Sequence, residues 1–83
     1  MAYNIDYKNS VKRDLKKIDK SEAGRILNQL EEDLSDDPKA YPQLKGDFAG
    51  LRKYRVGDYR AIFAVIEERV LILRIGHRKD VYR

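Results

Sequence analysis

Cysteine and tryptophan are absent from this 83-residue chain, histidine occurs once and proline twice. Without cysteine there are no disulfides, no thiolate nucleophiles and no Cys-ligated metal sites, and a reducing compartment is the simple default. A lone histidine, His77, excludes a multi-histidine metal centre. No apolar run approaches the roughly 20 residues that span a bilayer. The opening MAYNIDYK has neither the basic nor the apolar region of a signal peptide. A cytoplasmic protein with no membrane partner and no cofactor is therefore expected. The glycines spell neither a P-loop nor a dinucleotide-binding turn. Ser10, Ser21 and Ser35 fall at helix starts or ends, which argues against a Ser/His/Asp triad. The acidic pairs Glu31-Glu32, Asp36-Asp37 and Glu67-Glu68 read as solvated charges, because adjacent side chains diverge.

What is present is charge in quantity and unevenly placed. The chain is 42% hydrophobic and 39% charged, the balance of one small globular domain covering residues 1–83. The net charge is +4, but residues 1–43 hold 8 Lys/Arg against 9 Asp/Glu, whereas residues 44–83 hold 10 against 5. The positive charge thus belongs to the second half, and it points to a polyanionic partner, nucleic acid or an acidic protein segment.

Patterning gives the element order. Tyr3, Ile5 and Tyr7 alternate with polar residues, as in an edge strand. Val11, Leu15 and Ile18 recur at helical spacing amid Lys12, Arg13, Lys16 and Lys17, which predicts a short amphipathic helix with a basic outer face. Asp19 with Glu22 three positions on resembles a capping box, Ser21 being a competing cap. The helix that follows carries Ala23, Ile26, Leu27, Leu30 and Leu34 on one stripe and stops before Pro38. Residues 35–50 make a long loop that Tyr41, Leu44 and Phe48 are placed to pack. Three antiparallel strands close the chain: about Leu51 to Val56, a turn at Gly57-Asp58, Tyr59 to about Ile66, a turn at Glu67-Glu68, and Val70 to Ile75. The expected fold class is α+β, in the order β-α-α-β-β-β, with two helices on one face of a mostly antiparallel sheet. The partner of the first strand is not legible.

Strand parity sorts the side chains. Residues two apart share a face, so Tyr59, Ala61, Phe63 and Val65 with Leu71, Leu73 and Ile75 are expected to form the core. The other parity carries Arg60, Arg74 and, if the strand geometry persists, Arg78; Lys53 and Arg55 pair up on the strand before. If register puts Lys53 and Arg55 with Arg60, these make a five-cation face. A solvated surface is the plain alternative. Guanidinium groups, however, bind phosphate bidentately and stabilise the extra charge of a pentacovalent transition state. In a cluster of like charge, lysine is the member able to give up its proton, which makes Lys53 a base candidate.

The strings GLRKYRVGDYRAIF and VLILRIGHRKDVY, with Leu44-Lys45-Gly46 ahead of them, resemble the signature of the RelE/ParE toxin superfamily, closest to its RelE-like branch. The resemblance covers essentially the whole chain. It implies a toxin of a type II toxin–antitoxin pair that enters the ribosomal A site and cuts mRNA there without a metal, the messenger's own 2′-hydroxyl attacking the adjacent phosphate. It implies a cognate antitoxin as partner in a hetero-oligomer. By position, Lys53 and Arg55, then Arg60, Arg78 and Tyr82 match the family's catalytic set: Lys53 as base, Arg60 as transition-state clamp, Arg78 as clamp or leaving-group acid, and Tyr82 as stacking platform. Arg52, Arg74, His77, Lys79 and Arg83 complete the expected RNA-contacting set. The chain departs from the family where alternating second-strand lysines would fall, since Leu51 precedes Lys53. Two other readings share the fold: a ParE-like inhibitor of DNA gyrase, and a non-catalytic basic module binding RNA or an acidic partner.

Overall fold

The structure is a computed structural model that describes residues 2–79, the side chain of Asp47 excepted. Strand β1 (Asn4–Tyr7) leads into helices α1 (Asn9–Lys16) and α2 (Lys20–Asp36); after a loop come β2 (Arg52–Val56), β3 (Tyr59–Ile66) and β4 (Arg69–His77). This is the expected order. The sheet runs β1-β4-β3-β2, with β1 parallel to β4 and the other pairs antiparallel. The first strand therefore crosses over to pair with the last. No helix among the described residues is long and apolar enough to cross a membrane.

Local chemistry explains the helix ends. Asp19 caps α2 by accepting the Ser21 amide at 3.2 Å, two positions on rather than three, and it takes the Ser21 hydroxyl as well. Those hydrogen bonds hold the Asp19 carboxyl below its usual range. At the other end the Asp37 amide still reaches Asp33 O, and Pro38 then stops the ladder. Ile26, Leu30 and Leu34 recur on the buried stripe of α2 and meet Val11 of α1 over the sheet.

Helix α1 does more than cover the core. Strand β1 pairs with β4 only as far as Ile72, which leaves the rest of that edge without a strand. The polypeptide just past β1 supplies substitutes. The Lys8 amide bonds to Ile72 O at 2.9 Å, Ser10 Oγ donates to Leu73 O at 2.6 Å, and Asp14 Oδ2 accepts the Ile75 amide at 3.0 Å. An uncovered edge is a pairing hazard and a set of unsatisfied donors and acceptors; here the Lys8 amide and two side chains of α1 terminate it.

The core contains Val11, Ile26, Leu30, Leu34, Tyr54, Ala61, Phe63, Val70, Ile72 and Ile75. Ala61, Phe63 and Ile75 lie where parity places them, and Tyr59 and Val65 pack partly buried against that cluster. The expected Leu71 and Leu73 do not: Val70 and Ile72 are the core residues, each 0% exposed, while both leucines are half-buried. The cause is a β-bulge. Ile62 pairs with Arg74, but its neighbour Phe63 pairs with Ile72, so Leu73 has no opposite number. One extra residue reverses the parity of everything before it on that strand.

The loop after α2 folds into two 3-10 turns, Pro38–Ala40 and Gly46–Phe48, and lies along β2. Gln43 bridges to Arg52, flanked by hydrogen bonds from the Leu44 amide to Leu51 O at 2.8 Å and from the Lys53 amide to Pro42 O at 3.2 Å. Tyr41 anchors this segment by setting its ring edge-on to Tyr54 and Phe63, at centroid distances of 5.2 Å and 6.4 Å. The tight β2–β3 turn uses Gly57 at φ 58°, a conformation that costs glycine nothing.

Candidate functional site

The β2–β3 hairpin register decides which cations meet. Arg55 stands directly opposite Arg60, and Lys53 opposite Ile62, so Lys53, Arg55 and Arg60 share the sheet face turned away from the helices. Two like charges in direct cross-strand register, with Cβ atoms about 5 Å apart, destabilise a sheet. Arg55 turns its Nε to Gly57 O at 3.0 Å, which ties that guanidinium to the hairpin turn. The three cations line a 280 Å³ cleft with Tyr41, Pro42 and Tyr54. Sequence reasoning placed Tyr41 in loop packing, which it does, but missed that it and Pro42 wall this cleft. The available signal was an aromatic residue next to a proline in a loop too long to be a mere connection.

Arg78 follows the end of β4. Tyr59 pairs with His77, and the Arg78 amide continues the ladder by donating to Asp58 O at 2.9 Å. One register step from His77, and two from the Gly76 that faces Arg60, the backbone of Arg78 is at the same end of the sheet as Arg60 and on the same parity. Gly76 leaves the position beside Arg60 without a side chain. The site is thus a short cationic trough across three strands, β2, β3 and the end of β4.

The other expected contact residues have different surroundings. Arg74 sits by parity on the cationic face, yet its guanidinium is held by Asp14, through Nε at 2.9 Å and Nη2 at 3.2 Å. That pair is structural, because Asp14 also accepts the Ile75 amide. Arg52 is on the helix side of β2, where its Nη1 donates to Tyr41 O at 2.7 Å and Lys39 O at 3.2 Å, fastening the loop that walls the cleft. His77 lies on the helix side as well, its ring edge-on to Tyr59 with centroids 5.9 Å apart. Lys79 is exposed in the turn after β4. Tyr82 and Arg83 lie outside the described residues. Among the described residues no group of three or more His, Asp or Glu side chains is placed to hold a metal ion.

Residues 5–82 match the family described as ParE toxin of type II toxin–antitoxin system, parDE. This chain belongs to that family. The toxin is 31% identical to Toxin RelG of Mycobacterium tuberculosis over 86 residues, spanning 100% of this chain and 99% of that one. Its fold matches the M. tuberculosis RelBE2 toxin–antitoxin complex with a TM-score of 0.85 at 27% identity, over 94% of this toxin and 100% of that chain. The RelE–RelB complex of Pyrococcus horikoshii, at 24% identity, TM-score 0.71 and coverage of 98% and 100%, shares the fold. The toxin is accordingly RelE-like in architecture, as its sequence strings implied.

Proposed function

We propose that this toxin is a ribosome-dependent endoribonuclease that cuts mRNA in the A site, with the cationic trough as its active site. The observation that carries this reading is the direct opposition of Arg55 and Arg60, with Lys53 beside them and Arg78 at the sheet's end. Such a cluster concentrates positive charge on one face, and its guanidinium groups suit bidentate contacts to a phosphodiester. In the proposed step, Lys53 acts as the base that takes the proton of the 2′-hydroxyl. The 2′-oxygen forms a bond to phosphorus, and the bond to the 5′-oxygen breaks. The leaving oxygen is protonated by Arg78 or by water, yielding a 2′,3′-cyclic phosphate and a 5′-hydroxyl. Arg60 neutralises the extra charge on the pentacovalent phosphorane. Tyr82 supplies a stacking surface for a base.

The partner proposed for the resting state is an antitoxin, as in the RelBE2 and RelE–RelB complexes whose toxin chains share this fold. Its contacts would neutralise the same trough in a hetero-oligomer, in the cytoplasm where ribosomes work. The test is end-mapping of mRNA after adding purified toxin to programmed ribosomes. Wild type should give A-site cuts with cyclic-phosphate ends, and Arg60→Ala should lower single-turnover cleavage by about 10²–10³-fold, the usual cost of removing one transition-state donor. Absence of A-site cleavage by the wild type, with inhibition of gyrase supercoiling instead, would overturn the proposal in favour of the gyrase-inhibitor reading.

A further inference from the structure

We propose that His77 is a positioning residue for Arg78, acting through an acceptor nitrogen rather than through contact with RNA; the proposal rests on Arg78 belonging to the cleavage site. His77 ends β4, and its Nδ1 accepts the backbone amide of Lys79 at 3.3 Å. The atoms from Cα through Cβ and Cγ to Nδ1 trace the same path as those of an asparagine accepting the amide two residues on. This is an Asx-type turn with a histidine in the capping place. The residue enclosed by the turn is Arg78. Its own amide is pinned to Asp58 O at 2.9 Å, and the next amide is pinned by His77. Two consecutive amides are thus held, one by the β2–β3 turn and one by the imidazole, which fixes the direction in which Arg78 leaves the sheet.

The surroundings leave Nδ1 this one task. The ring lines a 240 Å³ cleft with Asp14, Lys17, Ile18, Tyr59, Arg74, Ile75 and Gly76. Asp14, the carboxylate of that lining, is taken up by Arg74 and the Ile75 amide. Lys17 and Arg74 bring cations, which donate rather than accept. A ring nitrogen that accepts an amide carries no proton of its own. Tyr59 meets the ring edge-on, at 5.9 Å and 81°.

The competing possibility is that His77 matters only as a ring packed on Tyr59, and two substitutions separate the cases. His77→Asn keeps an acceptor at the position of Nδ1 and discards the ring; His77→Phe keeps a ring and discards the acceptor. The expected result is that His77→Asn retains most of the single-turnover cleavage rate on programmed ribosomes. His77→Phe should lose about 10–100-fold in that rate, with the ribosome concentration for half-maximal rate changed little, as for a displaced catalytic group. Hydrogen exchange gives an independent readout: the Lys79 amide should be protected in wild type and His77→Asn, and exchange about tenfold faster in His77→Phe. The reverse order of the two variants, or equal exchange in all three proteins, overturns the inference. A wild type that does not cut RNA defeats the proposed function instead, and the exchange measurement still decides the turn.

Discussion

Asp14 shows how much one buried carboxylate can hold. It is 8% exposed, and it bonds Arg74 twice while accepting the Ile75 amide on the edge of β4 that β1 does not reach. Removing it leaves a backbone donor and a guanidinium without their acceptor, whereas removing Arg74 leaves a carboxylate that still caps the strand edge. The Arg74 side chain is 40% exposed, so water can take over much of its share. Asp14→Ala is therefore expected to cost about 2 kcal/mol, and Arg74→Met under about 1 kcal/mol, as read from urea midpoints. Equal losses would mean that the ion pair, not the strand cap, dominates.

Among the elements, α2 is fastened to the sheet by two phenol-to-carboxylate hydrogen bonds, Tyr7 to Glu31 and Tyr54 to Asp33. Burial pushes both phenols up, and the neighbouring carboxylates add to the shift through the hydrogen bond and their charge. A phenol whose folded pKa lies above its unfolded value of about 10 stabilises the fold fully below that pH. That contribution is lost as the pH rises through the folded value, so stability should fall from about pH 10 upward. A Tyr7→Phe/Tyr54→Phe double variant should be less stable at pH 7, by about 1.5 kcal/mol for the Tyr54 bond alone, and flatter in its stability above pH 10. Chemical denaturation across pH 7–11 measures both effects. Parallel curves for wild type and variant would refute the assignment.

For the whole molecule, the decisive property is the segregation of charge. Residues 44–83 carry twice as many cations as anions, 10 against 5, while the helical half is nearly neutral. Single-stranded RNA held by the four trough cations should show an affinity whose logarithm falls with the logarithm of salt at a slope of about −3. Replacing Lys53 or Arg60 should flatten that slope by about one phosphate's worth, whereas Arg52→Gln should barely alter it, since Arg52 is spent on loop carbonyls. Filter binding at several salt concentrations tests this, and an equal change for all three substitutions would point to a diffuse basic surface.

Local signals made the element order, the cap at Asp19, the stop at Pro38 and the shared parity of Lys53 and Arg55 legible in the chain itself. Each depends on periodicity or backbone chemistry within a few residues, which any stretch of sequence carries. Three matters needed the tertiary structure. The pairing of β1 with β4 joins segments more than sixty residues apart, and nothing local encodes which strand a distant one will choose. The bulge at Leu73 arises where two registers must be reconciled across a pair of strands, and it exchanged Leu71 and Leu73 for Val70 and Ile72 in the core. The fates of Arg52, Arg74 and His77 depend on which acceptors and donors the fold brings within about 3 Å of them. Sequence counts the cations; packing decides that Arg52 and Arg74 are tied to acceptors of the fold.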